Sequence, residues 1–401
     1  MNPFKKMYCR AFQFCFKMVL PVLPYREPKI LEDMPHVAAM LKEKHMDRIL
    51  IVTDKGISSL HLLDDLKNAL EEQHISWVIF DDTVANPTIS NVEAAKKLYE
   101  QHHCQAILAF GGGSSIDCAK AAGARIVKPG QPVSKMRGLL KIHKKLPLLV
   151  AIPTTAGTGS ETTLAAVITD DKTRHKYPIN DFFLIPDYAV LDYRVTISLP
   201  RQITATTGMD ALTHAVEAYI GRSTTRHTEA MAVDAVKRIK TYLKRAYDNG
   251  NDAEAREQML HASYCAGIAF TQSYVGYVHG VAHSLGGQYS IPHGLANAVI
   301  LPYFLEEYGE SCHKRLGRLA RLCEIADYND SDAAASRKFI DWVKEMNASM
   351  EIPDHLTGIR TEDIPVMARH ADKESNPLYP VPKLMDAKEL EQMYDKIQNK
   401  E

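Results

Sequence analysis

QAILAFGGGSSIDCAKAAGARI, residues 105–126, is the stretch on which the fold turns. A short aliphatic run ends in Gly111, Gly112 and Gly113, and a segment of helical period opens at Ser114. Glycines permit a tight turn and a close approach of backbone to ligand, while the free N–H groups of a new helix favour an anion. Strand, glycine turn and helix in this order point to a parallel sheet with crossover helices and to a cradle suited to a nucleotide pyrophosphate. The spacing is not G-x-G-x-x-G. Ser114 and Asp117 carry two readings, an S-x-x-D capping box or contact with the ligand.

The same alternation extends on both sides of this stretch. RILIVT (48–53), WVIFD (77–81), PLLVAIP (147–153) and YAVLD (188–192) read as further strands, with helices over 59–73 and 91–101. AIPTTAGTGSETT (151–163) is a second loop after a buried strand, where Thr154, Thr155 and Thr158 offer hydroxyls to phosphate or ribose. After Leu199-Pro200 the period becomes helical almost throughout. The expected architecture is an N-terminal extension (1–29), an α/β nucleotide-binding domain with a mostly parallel sheet (30–199), and an all-α metal-binding domain (200–401).

Within the helical half, GMDALTHAVEAY sets Asp210 and His214 four residues apart, neighbours on one helix face. A carboxylate and an imidazole at that spacing suit one divalent metal, and equally suit an ion pair. YVHGVAHSLGGQYSIPHGLANA (277–298) adds His279, His283 and His293. His279 and His283 share the i, i+4 spacing. On an unbroken helix His293 would lie about 21 Å from His279, at ~1.5 Å per residue. Gly286-Gly287 and Pro292 punctuate the segment and allow the chain to fold back. Spacing therefore permits several triples of ligands and selects none.

Composition sets the outer bounds. The 401 residues are 45% hydrophobic and 24% charged, with a formal net charge of -1. That balance gives no electrostatic reason to expect nucleic acid or an anionic membrane as partner. Seven scattered cysteines without a C-x-x-C pair read as reduced thiols of a cytoplasmic protein. The first 25 residues are basic and apolar, but Lys17, Pro21 and Pro24 interrupt the run, which is too short to span a bilayer. They read as an amphipathic extension packed on the protein or on a partner subunit, with membrane-surface association as the weaker alternative.

Taken together, ILIVTDKG, DDTVANPT, FGGGSSIDCAK, IPTTAGTGSE, ITATTGMDALTHAVEAY and VHGVAHSLGGQYSIPHGLANAVILP resemble the iron-containing, or group III, alcohol dehydrogenases of the dehydroquinate synthase-like fold. The resemblance covers residues from about 30 to about 385. It implies a metal held by Asp210, His214, His279 and His293, leaving His283 beside nicotinamide and substrate as a proton relay. It implies NAD bound by the glycine loop with Ser114 and Asp117, by Thr154, Thr155 and Thr158, by Asn86 next to Pro87, and by Asp54 at the adenosine ribose. The metal it implies is Fe2+, with Zn2+ an alternative for such ligands. It further implies hydride transfer to or from small primary alcohols, diols or their aldehydes, in a homodimer or larger homo-oligomer with no membrane span. A glycerol dehydrogenase-like or dehydroquinate synthase-like reaction on the same fold is the nearest alternative, and a non-catalytic metal or nucleotide sensor a more distant one. The segment ESNPLYPVP (374–382) departs from the family's usual small polar run.

Overall fold

The computed structural model describes residues 1–173 and 175–398, which form two compact units, Pro24–Leu199 and Met1–Leu23 with Pro200–Glu401. The last three residues of the segment 200–401 lie outside the described residues.

In the first unit the strands are β1 (Lys29–Leu31), β2 (Arg48–Val52), β3 (Ser76–Phe80), β4 (Ala106–Gly111), β5 (Gly138–Leu139), β6 (Leu148–Pro153), β7 (Ala165–Thr169), β8 (Lys176–Asn180) and β9 (Tyr188–Val190). Six of them make a wholly parallel sheet in the order β1-β9-β6-β4-β2-β3. β4 is buried along its whole length because helices cover both faces. Leu50, Val52, Ile107 and Ala109 point into one core, and Ile49, Ile51, Leu108 and Phe110 into the other. This alternation between two apolar layers explains why the strands read as continuous aliphatic runs.

The chain runs outward from β2 to β3, then returns to place β4 on the other side of β2. Such a reversal opens a crevice at the carboxyl ends of the two strands, the usual ligand position in open α/β sheets. Asp54 follows β2 and the three glycines end β4, so both flank that crevice.

Two expectations are corrected. The helix expected over 59–73 is two helices, Lys55–Ser59 and Asp64–Glu72, separated near His61, whose φ of 56° is left-handed. A second sheet, β5-β8-β7, was not foreseen; β7 and β8 pair antiparallel. Their alternating polar and apolar residues lie in TDDKTRHKYPIN and its neighbours, where charge obscures the period of two.

In the second unit the helices used below are α1 (Pro3–Val19), α2 (Arg201–Ile220), α3 (Tyr277–Tyr289), α4 (His293–Tyr308) and α5 (Ile364–Ser375). No strand occurs there among the described residues. Every residue from Gly208 to Ile220 of α2 is buried, which marks a central helix surrounded by others. α1 belongs to this unit, and its inward face is mixed, with Cys9 buried and Phe16 half-buried beside polar residues. Its inward residues include Gln13 and the half-buried Arg10, while Phe4, Met7, Tyr8, Phe14 and Met18 face outward.

All seven cysteines are free, six buried and Cys15 exposed. No helix among the described residues is long and apolar enough to cross a membrane.

Candidate functional site

The metal-site geometry starts from α2, where Asp210 and His214 occupy successive turns of one face. His279 lies in the first turn of α3, and His293 opens α4. The reversal that brings these two together differs from the expected one. α3 runs straight through Gly286-Gly287 and stops at Ser290, whose left-handed φ of 56° closes the helix by donating its N–H to Gly286. Pro292 then precedes the first residue of α4. Local closure at Ser290 with proline just beyond it does the work that the glycine pair was expected to do.

One ligand atom from each of Asp210, His214, His279 and His293 lies within 4.8 Å of the other three. Asp210, His214 and His279 are buried, and His293 stands at the edge, about a third exposed. One carboxylate and three imidazoles so gathered fit a divalent cation of the iron or zinc kind. His214 stacks between the rings of Phe270 and His279, at centroid distances of 4.0 and 4.5 Å, which fixes its orientation.

Two residues missed by sequence reasoning organise these ligands. Glu217 is fully buried one turn after His214, and its Oε2 lies 2.6 Å from Nδ1 of His279. It also accepts the Gly276 N–H at 2.8 Å and the Val278 N–H at 2.9 Å, the free donors at the start of α3. A carboxylate bonded to Nδ1 makes that nitrogen the donor and leaves the Nε2 lone pair for a metal. Gly276 is required for this approach, since a Cβ there would stand 2.5 Å from Glu217 Oε1. Asn297, one turn after His293, donates from Nδ2 to Asp210 Oδ1 at 2.6 Å and lies 3.2 and 3.1 Å from Nε2 of His279 and His293.

Burial dominates the electrostatics of the protein groups. It pushes the Asp210 carboxyl up to about 7 against the opposing Asn297 hydrogen bond, and Glu217 likewise to about 7 against its backbone donors. Burial holds His279 well below its ordinary value, so the imidazole is neutral as a metal ligand must be.

His283 stands outside the four-residue cluster. Its ring stacks on His293 at 5.2 Å and its Nδ1 lies 2.6 Å from Glu374 Oε1, which also accepts the Tyr379 hydroxyl at 2.8 Å. Burial works to raise the Glu374 carboxyl, but the neighbouring His283 together with these hydrogen bonds keeps it below its ordinary range.

The residues expected to hold nucleotide lie in the first unit. Gly112 is the N-cap of the helix Gly113–Val127, with no side-chain cap, so the Ser114–Asp117 capping box is absent. Gly111 has a φ of 150°, and a Cβ on it would meet Ser115 Oγ at 2.6 Å. A Cβ on Gly112 would touch Thr155, and one on Gly113 would press within 3.1 Å of Thr158, so the glycine and threonine loops lie side by side. The Thr154 N–H donates to the Gly111 carbonyl and adds to that pairing. Asn86, at a left-handed φ of 59°, donates its N–H to Ser114 Oγ at 3.3 Å.

Asp54 caps the helix Lys55–Ser59 through the Ile57 N–H at 3.0 Å, while its other oxygen accepts from Ser115 Oγ at 3.4 Å beside the glycine turn. Asp117 is occupied inside the protein. Its oxygens accept from Ser160 Oγ at 2.7 Å and the Val167 N–H at 2.9 Å. Ser160 also meets the fully buried Lys120, which donates to the carbonyls of Thr163 and Ala165. Asp117 and Lys120 thus tie the second loop to the helix that the glycines begin.

Comparison with known proteins bears on both units. Residues 27–193 match the family model "Iron-containing alcohol dehydrogenase", and residues 204–398 match "Fe-containing alcohol dehydrogenase family, C-terminal". Alcohol dehydrogenase 4 of Schizosaccharomyces pombe is 38% identical over 354 residues, 86% of this chain and 82% of that protein. The NAD-dependent methanol dehydrogenase of Bacillus methanolicus is 36% identical over 85% of this chain and 91% of its own. The crystal structure of a 1,3-propanediol oxidoreductase superposes with a TM-score of 0.89 at 33% identity, over 93% of this chain and 99% of that one. Family models spanning both units, together with an Asp-His-His-His cluster where the sequence motifs fall, establish that the chain belongs to the iron-containing alcohol dehydrogenase family.

Proposed function

We propose that this alcohol dehydrogenase is NAD(H)-linked and metal-dependent, and that it interconverts small primary alcohols or diols with their aldehydes. The observation that carries the reading is the cluster of Asp210, His214, His279 and His293, with Glu217 fixing the tautomer of His279. When bound, the metal supplies a Lewis acid for the substrate oxygen and nicotinamide supplies a two-electron acceptor or donor.

The chain's own residues do the rest. Asp210 brings the negative charge that balances a divalent cation. Glu217 keeps the Nδ1 proton of His279 in place, so the ligand does not rotate or protonate at Nε2. His283, partly exposed and hydrogen-bonded to Glu374, passes the alcohol proton between substrate and solvent. Gly111, Gly112, Gly113 and Ser114 present the first N–H groups of a helix to the pyrophosphate, with Thr154, Thr155, Thr158 and Asn86 beside them. Asp54, at the strand-order reversal, accepts from the ribose hydroxyls and repels a 2′-phosphate.

The test is a panel of short aldehydes, alcohols and diols assayed with NAD(H) and NADP(H) on protein reconstituted separately with ferrous iron and zinc. Turnover that needs metal and prefers the unphosphorylated cofactor is expected. Metal-independent turnover, or a preference for NADP(H), overturns the corresponding part of the proposal.

A further inference from the structure

The segment Asn376–Pro382 runs NPLYPVP and forms no helix or strand. Its three prolines lack an N–H, so the backbone can make few hydrogen bonds of its own and its carbonyls need outside donors. α1 supplies them. Gln13 Nε2 donates to the carbonyls of Pro377 at 3.2 Å and Tyr379 at 2.7 Å. Arg10 donates to the carbonyls of Val381 at 2.8 Å and Pro382 at 2.7 Å, and also to Gln13 Oε1 at 2.8 Å, which orients the glutamine amide. Nearer the N-terminus, Lys5 bonds both oxygens of Asp372, whose Oδ1 also receives the Asn376 side chain at 2.7 Å.

This attachment is polar and directional where helix packing is ordinarily apolar. Beside the buried Cys9 and the half-buried Phe16, whose ring meets Tyr274 edge-on at 5.1 Å, α1 sets a glutamine and an arginine inward, so its hold on this segment is by directed hydrogen bonds. What it holds leads to the site. Tyr379 bonds Glu374, and Glu374 bonds His283, whose ring lies on the metal ligand His293.

We propose that α1 is an intramolecular clamp on residues 376–382, and that Arg10 and Gln13 are positioning residues which fix the Tyr379–Glu374–His283 chain for the substrate. The proposal rests on the assignment of His283 to the substrate side.

Two variants separate the bonds from the packing. Arg10→Met/Gln13→Met keeps side-chain bulk and removes all five donated bonds. Gln13→Glu keeps the arginine as a partner but sets an acceptor against two carbonyls. Hydrogen exchange is read at the amides of Tyr379 and Val381, and steady-state kinetics with a short aldehyde and NADH on the metal-loaded enzyme. Both variants are expected to speed exchange at those two amides, leave it unchanged in α2, and raise the aldehyde KM about tenfold with the NADH KM unchanged, the scale on which small misplacements act. Unchanged exchange at Tyr379 and Val381, or equal changes in both KM values, overturns the clamp. Exchange needs no turnover, so a wild-type enzyme inactive on every aldehyde removes the oxidoreductase reading while exchange still decides the clamp.

Discussion

His283 and His293 lie ring on ring, yet their partners differ, and substituting each one should separate the two proposed functions. His293→Ala is expected to lose bound metal and turnover together, whereas His283→Ala retains near-stoichiometric metal and turns over more slowly. Metal analysis giving the reverse sinks the assignment. Glu217→Gln preserves volume but sets an amide where two backbone donors and His279 Nδ1 converge, and weaker metal retention by about 10- to 100-fold follows, measurable by competition with a chelator. Asp54→Ser keeps a helix cap and removes the charge. It should narrow the preference for NAD over NADP, and an unchanged ratio would take Asp54 away from the ribose. Much of this site was legible in the sequence. Asp210 and His214 share a helical face, and the resemblance chose His279 and His293 among three histidines that spacing alone left open. Glu217 was within reach, since it continues the face of Asp210 and His214, and Asn297 sits one turn beyond His293. Glu374 and Tyr379 carry no local signal, because they reach His283 across a separation of 91 residues and through one another.

At the scale of elements, the ligands meet because α2 and α4 touch backbone to backbone. A Cβ on Gly294, next to His293, would lie 2.6 Å from the Thr206 carbonyl oxygen and 2.9 Å from its carbon. Neither can swing aside as a side-chain tip would. Gly294→Ala should therefore destabilise the protein by about 1–3 kcal/mol, the usual range for overpacking, and loosen metal binding as α4 shifts. Thermal melts with and without metal measure both effects; a variant that melts and binds metal like the wild type would show that the crossing tolerates the methyl group. Periodicity found the long strands and most long helices because burial imposes it on many residues at once. It failed at the chain reversal before His293, where Gly286-Gly287 continues a helix that its sequence suggests breaking. Two glycines weaken a helix by only about 2 kcal/mol together, a cost that tertiary packing offsets, while the left-handed Ser290 that does end it has no glycine to announce it.

The chain forms two compact units, with the expected nucleotide loops in one and the proposed metal ligands in the other. Stripping the metal with a chelator should therefore abolish turnover and leave NADH binding, followed by fluorescence titration, largely intact. Loss of both together would argue that the metal supports the nucleotide loops as well. The overall architecture was readable because one pattern holds over more than a hundred residues in each unit, strand-helix alternation in the first and helical period in the second. That the N-terminal extension packs on the protein was expected; which of its residues turn inward was not. Gln13 and Arg10 turn inward while Phe4, Met7, Tyr8 and Phe14 turn outward, against the rule by which amphipathic segments are oriented, although Cys9 and Phe16 share the inward face. The same helix leaves the chain with a built-in handle. Six of its seven thiols are buried, burial pushes those of Cys104 and Cys118 up to about 11 and about 12, and Cys15 on α1 alone faces solvent. A thiol reagent should titrate one equivalent in the native protein and seven after denaturation, so that a fluorophore or spin label attached to unmodified wild type reports from that single position on the helix.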